Sequence, residues 1–555
     1  MKRVASAKPH LIHTAPQVPG PLITLSSAWP TVSSAQNVDE GNLLQGILKA
    51  QTRVYDVCRE TQLQYAPRLS SLLNNRIYFK REDQQPVFSF KIRGAYNKMA
   101  SLSEEKLSKG IVTCSAGNHA QGVAYSAKTL NVNNVIVMPK GTPSIKIDAV
   151  RSFGGNAVLF GENYDQAQAE AMRLMHAEGR TMIHPFDDFD VICGQATIGV
   201  EISKQLPRNE KLHAVFCCVG GGGLLAGVSS YLKRVSPDAK MIGVEACDAA
   251  AMTRSLEEGK LITLNSVGLF ADGAAVRTPG TETFNLIRSH ADAMVTVSTD
   301  EICQAIKTGF NDSRTVMEPA GALGIAGLVR YVKATGITGK TLVAVTSGAN
   351  MDFDRLRFVS ERADSSETLA AAVIPERPGS FWELYMTIYP RNVTEFSYRM
   401  ISPNAKAAHV LVGFQPKNEA DIDDVSNAIR SKEGFDFANI DDDELSKTHL
   451  RHMVGGRAPG VKHERVFRFE FPERPGALKQ FLEGLFATRK HTPFNITLFH
   501  YRAHGADIGR VFTGFTVDEN EEASFEAFLK ELCSSDKGFS CYEETANRFY
   551  REFLL

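Results

Sequence analysis

One lysine of the chain stands in an unusually apolar setting. Lys91 lies between Phe90 and Ile92 in the segment KREDQQPVFSFKIRG, Lys80–Gly94. Apolar neighbours exclude water from an amine and lower its pKa, and an amine of lowered pKa readily forms an imine with a carbonyl compound. The residue types alone leave open whether Lys91 is such a nucleophile or an ordinary surface lysine.

Two other segments have the composition of anion-binding loops. TCSAGNHAQG (Thr113–Gly122) follows an apolar run and opens a predicted helix, whose first N–H groups could bind a carboxylate. The same Ser and Asn could also simply cap that helix. CVGGGGLLAG (Cys218–Gly227) has four glycines after a predicted strand, so several amides can converge on one anion. Its spacing is not GxxxxGK[ST] and no lysine follows, which argues against a Walker-type nucleotide site.

A serine marks the end of another predicted buried strand. Ser347 belongs to TSGANMDFDRLRF, Thr346–Phe358, and its hydroxyl could donate to a ring nitrogen. A serine in an ordinary turn is the alternative interpretation of this segment taken alone.

Together these segments resemble the motifs of fold-type II pyridoxal-phosphate enzymes, and of threonine dehydratases in particular. The family's Ser-Phe-Lys-x-Arg-Gly run stands at Ser89–Gly94. The resemblance implies pyridoxal 5'-phosphate as the cofactor. It implies that Lys91 is the catalytic residue, which binds the cofactor covalently and later acts as the base, and that Phe90 packs near the cofactor ring.

The resemblance also implies roles for the other motif residues. Asn118 is expected to hydrogen-bond the ring hydroxyl of the cofactor, and Ser347 its pyridine nitrogen. A hydroxyl partner leaves that nitrogen largely unprotonated, which favours loss of a β-leaving group. The cofactor phosphate is expected at Gly220, Gly221, Gly222 and Gly223. The substrate carboxylate is expected at Ser115, Ala116, Gly117, Asn118 and His119.

Further family segments are HPFDD (His184–Asp188), GLFADGAAV (Gly268–Val276) and EPAGALG (Glu318–Gly324). Three positions depart from related sequences. Ala196 replaces a glycine of the usual Gly-Gln-Gly-Thr run. Ala116 stands where related serine racemases carry a second serine that serves as a base on the opposite face, so the alanine favours one-faced elimination over racemisation. Glu245 has Ala251 six residues on, where cation-binding relatives have Asp, so no metal site is predicted.

The activity implied by the resemblance is deamination of L-threonine to 2-oxobutanoate and ammonia, the committed step of isoleucine biosynthesis. L-serine would fit the same chemistry. A pyridoxal-phosphate β-replacement synthase is one alternative, and a catalytically inactive amino-acid-binding regulator is another. The intact motifs around Lys91, Asn118 and Ser347 argue against the second alternative.

Up to Val359 the sequence alternates between short apolar runs and helix-like stretches. This alternation predicts that α/β layers with parallel sheets position the residues named above. The resemblance implies a catalytic domain over residues 39–362 that consists of two α/β subdomains with open twisted sheets. Predicted strands are Arg76–Lys80, Ile111–Cys114, Asn134–Met138, Ala157–Phe160, Ala214–Val219, Met241–Val244 and Thr341–Thr346. Predicted helices include Tyr164–Glu178 and Leu224–Val235.

After Asp364 the sequence contains a duplicated module. IPERPGSF (Ile374–Phe381) returns as FPERPGAL (Phe471–Leu478), and NVTEFSYR (Asn392–Arg399) returns as NITLFHYR (Asn495–Arg502). GFDFANIDDDEL (Gly434–Leu445) is echoed by GFSCYEETANRF. Each copy is predicted as strand, helix, strand, strand, helix, strand, a split βαβ layout. Met453–Lys462 is the predicted linker.

The duplicated module resembles the ACT-like regulatory domains of biosynthetic threonine dehydratases, which are α+β ferredoxin-like domains. They are assigned to residues 366–455 and 463–555. The resemblance implies isoleucine as the allosteric inhibitor, valine as the opposing effector, and a homotetramer. The turns at Ile374–Phe381 and Phe471–Leu478 are the predicted effector neighbourhoods, although PERPG could also be a plain proline-glycine turn.

Bulk composition restricts partners and compartment. With 62 Lys and Arg against 63 Asp and Glu, the chain has no basic excess for nucleic acid, and no apolar run suggests a membrane span. Nine scattered cysteines fit a reducing compartment. Residues 1–38 are hydroxyl-rich, basic and free of acidic side chains, which is typical of an organellar transit peptide. Mitochondrial location is predicted, with plastid, cytoplasm or a disordered extension as alternatives.

Overall fold

The computed structural model describes residues 23–30, 40–363, 367–400, 402, 405–441, 443, 456–458, 460–472, 477–487, 494–502, 508–533 and 539–554. The chain forms two compact units, Met1–Ala363 and Asp364–Leu555. Within the described ranges, no helix is long and apolar enough to cross a membrane.

The first unit contains a seven-stranded sheet, whose five inner strands run parallel. In spatial order its strands are Ile23–Leu25, Ala293–Val297, Lys240–Ala246, Leu212–Cys218, Thr341–Val345, Arg76–Lys80 and Leu63–Tyr65. The inner strands are buried on both faces because helices cover the sheet, and this explains their continuous apolar sequences.

A second, four-stranded parallel sheet forms the smaller layer of this unit. Its strands are Ala157–Leu159, Asn134–Met138, Ile111–Cys114 and Thr181–Met182. The predicted two-sheet α/β fold is confirmed. Arg76–Lys80, Ile111–Cys114 and Asn134–Met138 have the predicted bounds, whereas the strand Ala293–Val297 was not predicted.

The helices of the first unit connect these strands. They are Glu40–Arg53, Pro67–Leu73, Lys91–Ala100, Glu104–Ser108, Asn118–Thr129, Ser144–Ser152, Tyr164–Glu178, Phe189–Gln205, Gly223–Val235, Ala251–Glu258, Thr281–His290, Thr299–Ser313, Pro319–Thr335 and Arg355–Arg362. Lys91 therefore begins a helix and does not lie in a strand.

Part of the segment predicted to be a transit or disordered extension is an edge strand. Ile23–Leu25 pairs antiparallel with Ala293–Val297, and Ser26 N donates to the Asp292 carbonyl at 2.9 Å. Ile23 and Trp29 pack against the core of the larger sheet. Partial burial of these two apolar side chains and the strand pairing hold this stretch against the sheet. Residues 1–22 and 31–38 of the predicted extension lie outside the described residues.

The second unit consists of two similar βαββαβ halves that share one antiparallel sheet of eight strands. The order is Asp436–Asn439, Thr368–Pro375, Ala407–Phe414, Val393–Arg399, Asn495–Arg502, Ile508–Thr516, Glu464–Pro472 and Ser540–Glu543. Helices are Ser380–Ile388, Glu419–Arg430, Ala477–Ala487, Glu522–Leu532 and Arg548–Phe553. The predicted ferredoxin-like layout of each copy is confirmed, and the halves join where Val393–Arg399 pairs with Asn495–Arg502.

Candidate active site

Lys91 lies at the start of its helix, directly after a bridge between Ser89 and Gly348. Its Nζ donates to the Pro185 carbonyl at 2.9 Å and lies 5.3 Å from the centre of the Phe90 ring. Burial lowers the pKa of the amine to about 8, and the opposing effects of Cys218 and Glu318 offset this only in part. Near neutral pH, a larger share of this amine is therefore neutral and nucleophilic than in a lysine of ordinary pKa.

Ser347 and Phe90 come together beside this amine. The backbone N of Phe90 donates to the Ser347 carbonyl at 3.1 Å. The Ser347 hydroxyl is buried, donates to the Ala320 carbonyl at 3.3 Å and accepts from Cys218 Sγ at 3.3 Å. Because the bond that the hydroxyl donates is longer than a typical hydroxyl hydrogen bond, its hydrogen can turn to a better acceptor such as a ring nitrogen.

The loop Ser115–Gly117 connects strand Ile111–Cys114 to helix Asn118–Thr129. Its residues and Asn118 are partly exposed, and Gly117 N donates to Ser115 Oγ at 3.3 Å. His119 instead turns inward, with Nε2 2.9 Å from the Ile183 carbonyl. Burial lowers the pKa of His119 to about 3, so the ring is neutral and only its backbone N–H can face a substrate.

The four glycines Gly220–Gly223 connect strand Leu212–Cys218 to helix Gly223–Val235. A Cβ added to Gly221 would lie 2.2 Å from the Phe186 ring, so no side chain fits there. Gly222 has φ +98, a left-handed backbone that favours glycine. The loop therefore presents backbone N–H groups at the N-terminus of a helix, which is a suitable cradle for a phosphate.

The segment His184–Asp188 links the lysine to this loop, a position that the sequence motif alone did not reveal. The Pro185 carbonyl accepts from Lys91, and the Phe186 ring lies under the glycines. Asp187 Oδ1 and Oδ2 accept from the first N–H groups of helix Thr281–His290 at 2.9 Å. One segment thus fixes the spacing between the amine and the predicted phosphate site.

Arg93 belongs to the lysine motif, but its side chain forms buried ion pairs that have a structural role. Its guanidinium is fully buried and pairs with Glu82 at 2.7 Å and Glu201 at 2.6 Å. Glu201 also pairs with the buried Lys80 at 2.5 Å. Removing one member of such a buried set leaves an uncompensated charge, so this network holds the first turn of the Lys91 helix in place.

Sequence reasoning assigned no role to Glu318 and Asn350, yet both contact Asn118. Asn118 Nδ2 donates to Glu318 Oε1 at 2.5 Å, and Asn350 Nδ2 donates to Asn118 Oδ1 at 2.7 Å. Burial raises the pKa of Glu318 to about 7. In the sequence, both residues stand in segments that resemble family motifs, EPAGALG and TSGAN.

Glu245 is a buried helix cap. Its carboxylate accepts from Met252 N at 2.9 Å and from Thr253 N at 2.8 Å, and burial raises its pKa to about 7. In the part of the chain that the structure describes, no group of three or more His, Cys, Asp or Glu is arranged to hold a metal ion.

These features fit pyridoxal phosphate. The glycine loop offers N–H groups to a phosphate, the Ser347 hydroxyl donates only a long hydrogen bond, and the Lys91 amine has a lowered pKa. The family model described as pyridoxal-phosphate dependent enzyme matches residues 54–348. The model described as the C-terminal regulatory domain of threonine dehydratase matches residues 359–450 and 455–554. The biosynthetic L-threonine dehydratase of Burkholderia multivorans is 50% identical over 92% of this chain and 99% of its own length.

The chain belongs to the threonine dehydratase family. The mitochondrial threonine dehydratase of Saccharomyces cerevisiae is 45% identical over 91% of this chain and 88% of its own length. The processed form of tomato threonine deaminase isoform 2 is 47% identical with a TM-score of 0.57, covering 60% of this chain and 99% of that structure. This threonine dehydratase also shares its fold with maize serine racemase, at 29% identity and a TM-score of 0.53 over 57% of this chain and 96% of that structure. It is a pyridoxal-phosphate enzyme.

Proposed function

We propose that this threonine dehydratase converts L-threonine to 2-oxobutanoate and ammonia as the committed step toward isoleucine, and that isoleucine inhibits it. The observation that carries the catalytic part is the Lys91 amine, whose pKa is lowered to about 8 where the motif segments meet. L-serine is a second substrate of the same chemistry.

Lys91 has two proposed tasks, to anchor the cofactor and to take the Cα proton of the substrate. The bound cofactor supplies an electron sink for the pair left on that carbon. Phe90 packs beside the ring, Asn118 donates to the ring oxygen, and Ser347 donates to the ring nitrogen. Gly220, Gly221, Gly222 and Gly223 hold the phosphate.

The substrate carboxylate is assigned to the N–H groups of the Ser115–His119 segment. The first N–H groups of helix Asn118–Thr129 have no acceptor within the helix and are free to bind an anion. Ala116 offers no proton-transfer group. With Lys91 as the one base of the site, we expect elimination without racemisation.

The assay that tests this reaction measures 2-oxoacid formation from L-threonine and from L-serine, with and without an added thiol. We expect 2-oxobutanoate and pyruvate respectively, and no loss of 2-oxoacid when the thiol is present. Diversion of the product into a new thioether amino acid would instead indicate a β-replacement synthase.

The regulatory part of the proposal is supported by a shallow, partly open cleft in the second unit. It lies at the predicted turn Ile374–Phe381 and includes residues of the strand Asn495–Arg502. Tyr398 Oη donates to Glu376 Oε1 at 2.7 Å, and burial raises the pKa of Glu376. Apolar walls come from Ile374, Phe381, Phe494 and Ile496.

This lining suits a branched-chain amino acid. Glu376 can accept the ammonium group, and the apolar wall can take the branched side chain of isoleucine or valine. The corresponding turn of the second copy, Phe471–Leu478, contains Glu473–Gly476, which lie outside the described residues. We therefore assign the first effector site to the Ile374–Phe381 turn, and keep the second turn as an expectation.

Three further assignments complete the proposal. The catalytic domain spans residues 39–362, and the regulatory domains span 366–455 and 463–555. Four copies of the chain assemble as a homotetramer. The enzyme works in mitochondria, with plastid and cytoplasm as alternatives, and any cleavage of a transit segment occurs before Ile23 because Ile23–Leu25 belongs to the sheet.

A further inference from the structure

Glu318 is a buried carboxylate to which the sequence motifs assign no role. It directly precedes helix Pro319–Thr335 and is 6% exposed. Its backbone N donates to the Gly348 carbonyl at 3.2 Å, and a Cβ added to Gly348 would lie 2.1 Å from Glu318 Oε1. The turn that carries Ser347 is therefore packed directly against this carboxylate.

A directional chain of hydrogen bonds ends at Glu318. It begins at the Val87 carbonyl, which accepts from Asn350 Nδ2 at 2.9 Å. Asn350 Nδ2 also donates to Asn118 Oδ1 at 2.7 Å, and Asn118 Nδ2 donates to Glu318 Oε1 at 2.5 Å. The chain brings together segments that are 232 and 200 residues apart in sequence.

Both ends of this chain can only accept hydrogen bonds. A backbone carbonyl has no hydrogen to donate, and an ionised carboxylate has none either. The NH2 group of Asn350 must therefore face Val87, and the NH2 group of Asn118 must face Glu318. Among the described residues, the second hydrogen on Asn118 Nδ2 has no acceptor.

We propose that Glu318 is a positioning residue that fixes the Asn118 amide so that it meets the cofactor as a hydrogen-bond donor. The inference rests on the proposed contact between Asn118 and the ring oxygen of pyridoxal phosphate. Because Asn350 occupies Oδ1, Asn118 has only an N–H to offer that oxygen. A fixed donor stabilises negative charge on the oxygen without reorganising when the cofactor binds.

Glu318 acts electrostatically on the Lys91 amine, and the other charges that act on Glu318 pair with one another. Lys146 Nζ lies 2.5 Å from Asp272 Oδ2, and Arg355 Nη1 lies 3.5 Å from Asp272 Oδ1. Burial raises the pKa of Glu318 to about 7, while the Asn118 donor favours the ionised form. Experiments are therefore run above this pKa, where the carboxylate can only accept.

The test replaces the carboxylate by an amide of the same shape, Glu318→Gln. The Gln side chain is neutral and can donate as well as accept, so the NH2 group of Asn118 loses its charged, acceptor-only partner. We expect the affinity of the apoprotein for pyridoxal phosphate to fall about tenfold, the loss of one charge-assisted hydrogen bond, and the visible absorbance of the bound cofactor to shift. The matched control is Glu301→Gln, which removes a carboxylate from the first turn of the neighbouring helix Thr299–Ser313. It should change neither readout.

A double-mutant cycle with Asn118→Ala shows whether Glu318 acts through Asn118. We expect Glu318→Gln to have no further effect on affinity or absorbance once Asn118 is removed. An equal loss in both backgrounds would overturn the proposal. It would also be overturned if Asn118→Ala changed both readouts and Glu318→Gln changed neither. If Asn118→Ala itself changed neither readout, the proposed contact between Asn118 and the cofactor would be wrong as well. This result differs from the two above, so failure of the inference can be told apart from failure of the proposed function.

If Glu318→Gln does not fold, Asn350→Ala tests the same chain from its other end. This variant leaves Glu318 in place but removes the donor to Asn118 Oδ1. Because the Glu318 carboxylate can only accept, it should still hold the NH2 group of Asn118, and the affinity and absorbance should stay close to those of the parent enzyme. Changes in both readouts as large as those of Asn118→Ala would show that Asn350 fixes the amide, and would contradict the proposal.

Discussion

Replacing Lys91 by alanine should reduce turnover of L-threonine by more than about a thousandfold. The variant loses both the anchoring amine and the base, and no second lysine stands in the SFKIRG motif. Binding of pyridoxal phosphate should persist in non-covalent form, because the glycine loop, Asn118 and Ser347 remain. Steady-state 2-oxobutanoate formation and cofactor content after gel filtration measure the two effects.

The matched control for this variant is Lys109→Ala. Lys109 is exposed on the surface and pairs with Glu105 at 2.9 Å. Its replacement should leave turnover unchanged. Substantial residual activity of Lys91→Ala, above one part in about a thousand of the parent enzyme, would remove Lys91 from the mechanism.

Isoleucine should inhibit the full-length enzyme, and a chain ending at Ala363 should no longer respond to it. The reason is that Ser347 is the last of the cofactor motifs, while the duplicated module occupies the second unit, Asp364–Leu555. Effector binding in that unit has to bias the enzyme by the ~1–3 kcal/mol typical of allosteric coupling. Rates of 2-oxobutanoate formation are measured over a range of isoleucine concentrations, with valine added in a parallel series.

A point variant tests the same claim without removing a domain. Glu376→Gln should raise the half-inhibitory isoleucine concentration by about tenfold or more, because a charged partner of the ammonium group is lost. Asp423→Asn is the control, since Asp423 is an exposed carboxylate on helix Glu419–Arg430 of the same copy. Flat kinetics of the full-length enzyme with both amino acids would exclude the regulatory proposal, whatever the shortened chain does.

The sequence predicted most of the scaffold because its signals are local. Strands such as Ile111–Cys114 are continuous apolar runs, and the glycine loop follows one of them directly. The repeat also revealed the two ferredoxin-like halves, since each copy carries its own pattern of strands and helices. By contrast, the edge strand Ile23–Leu25 is short and depends on a partner about 270 residues away, so its order could not be predicted locally.

Likewise, the sequence could not predict which side chains contact each other when they are far apart along the chain. The Arg93 guanidinium was part of a recognised motif, but its carboxylate partner Glu201 is 108 residues further along the chain. Glu318 is 200 residues from Asn118. Motif spacing indicates which residues occur together in a family, but only the fold determines which of their polar atoms face each other.

The most direct test of the account is to locate the covalently bound cofactor. Borohydride reduction of the loaded enzyme fixes a cofactor that is joined to a lysine amine, and peptide mapping by mass spectrometry identifies that lysine. We expect a single modified lysine, Lys91, and no modification when Lys91→Ala is treated in the same way. A reduced cofactor on a different lysine, or none in the active full-length enzyme, would contradict the assignment of Lys91 as the covalent anchor.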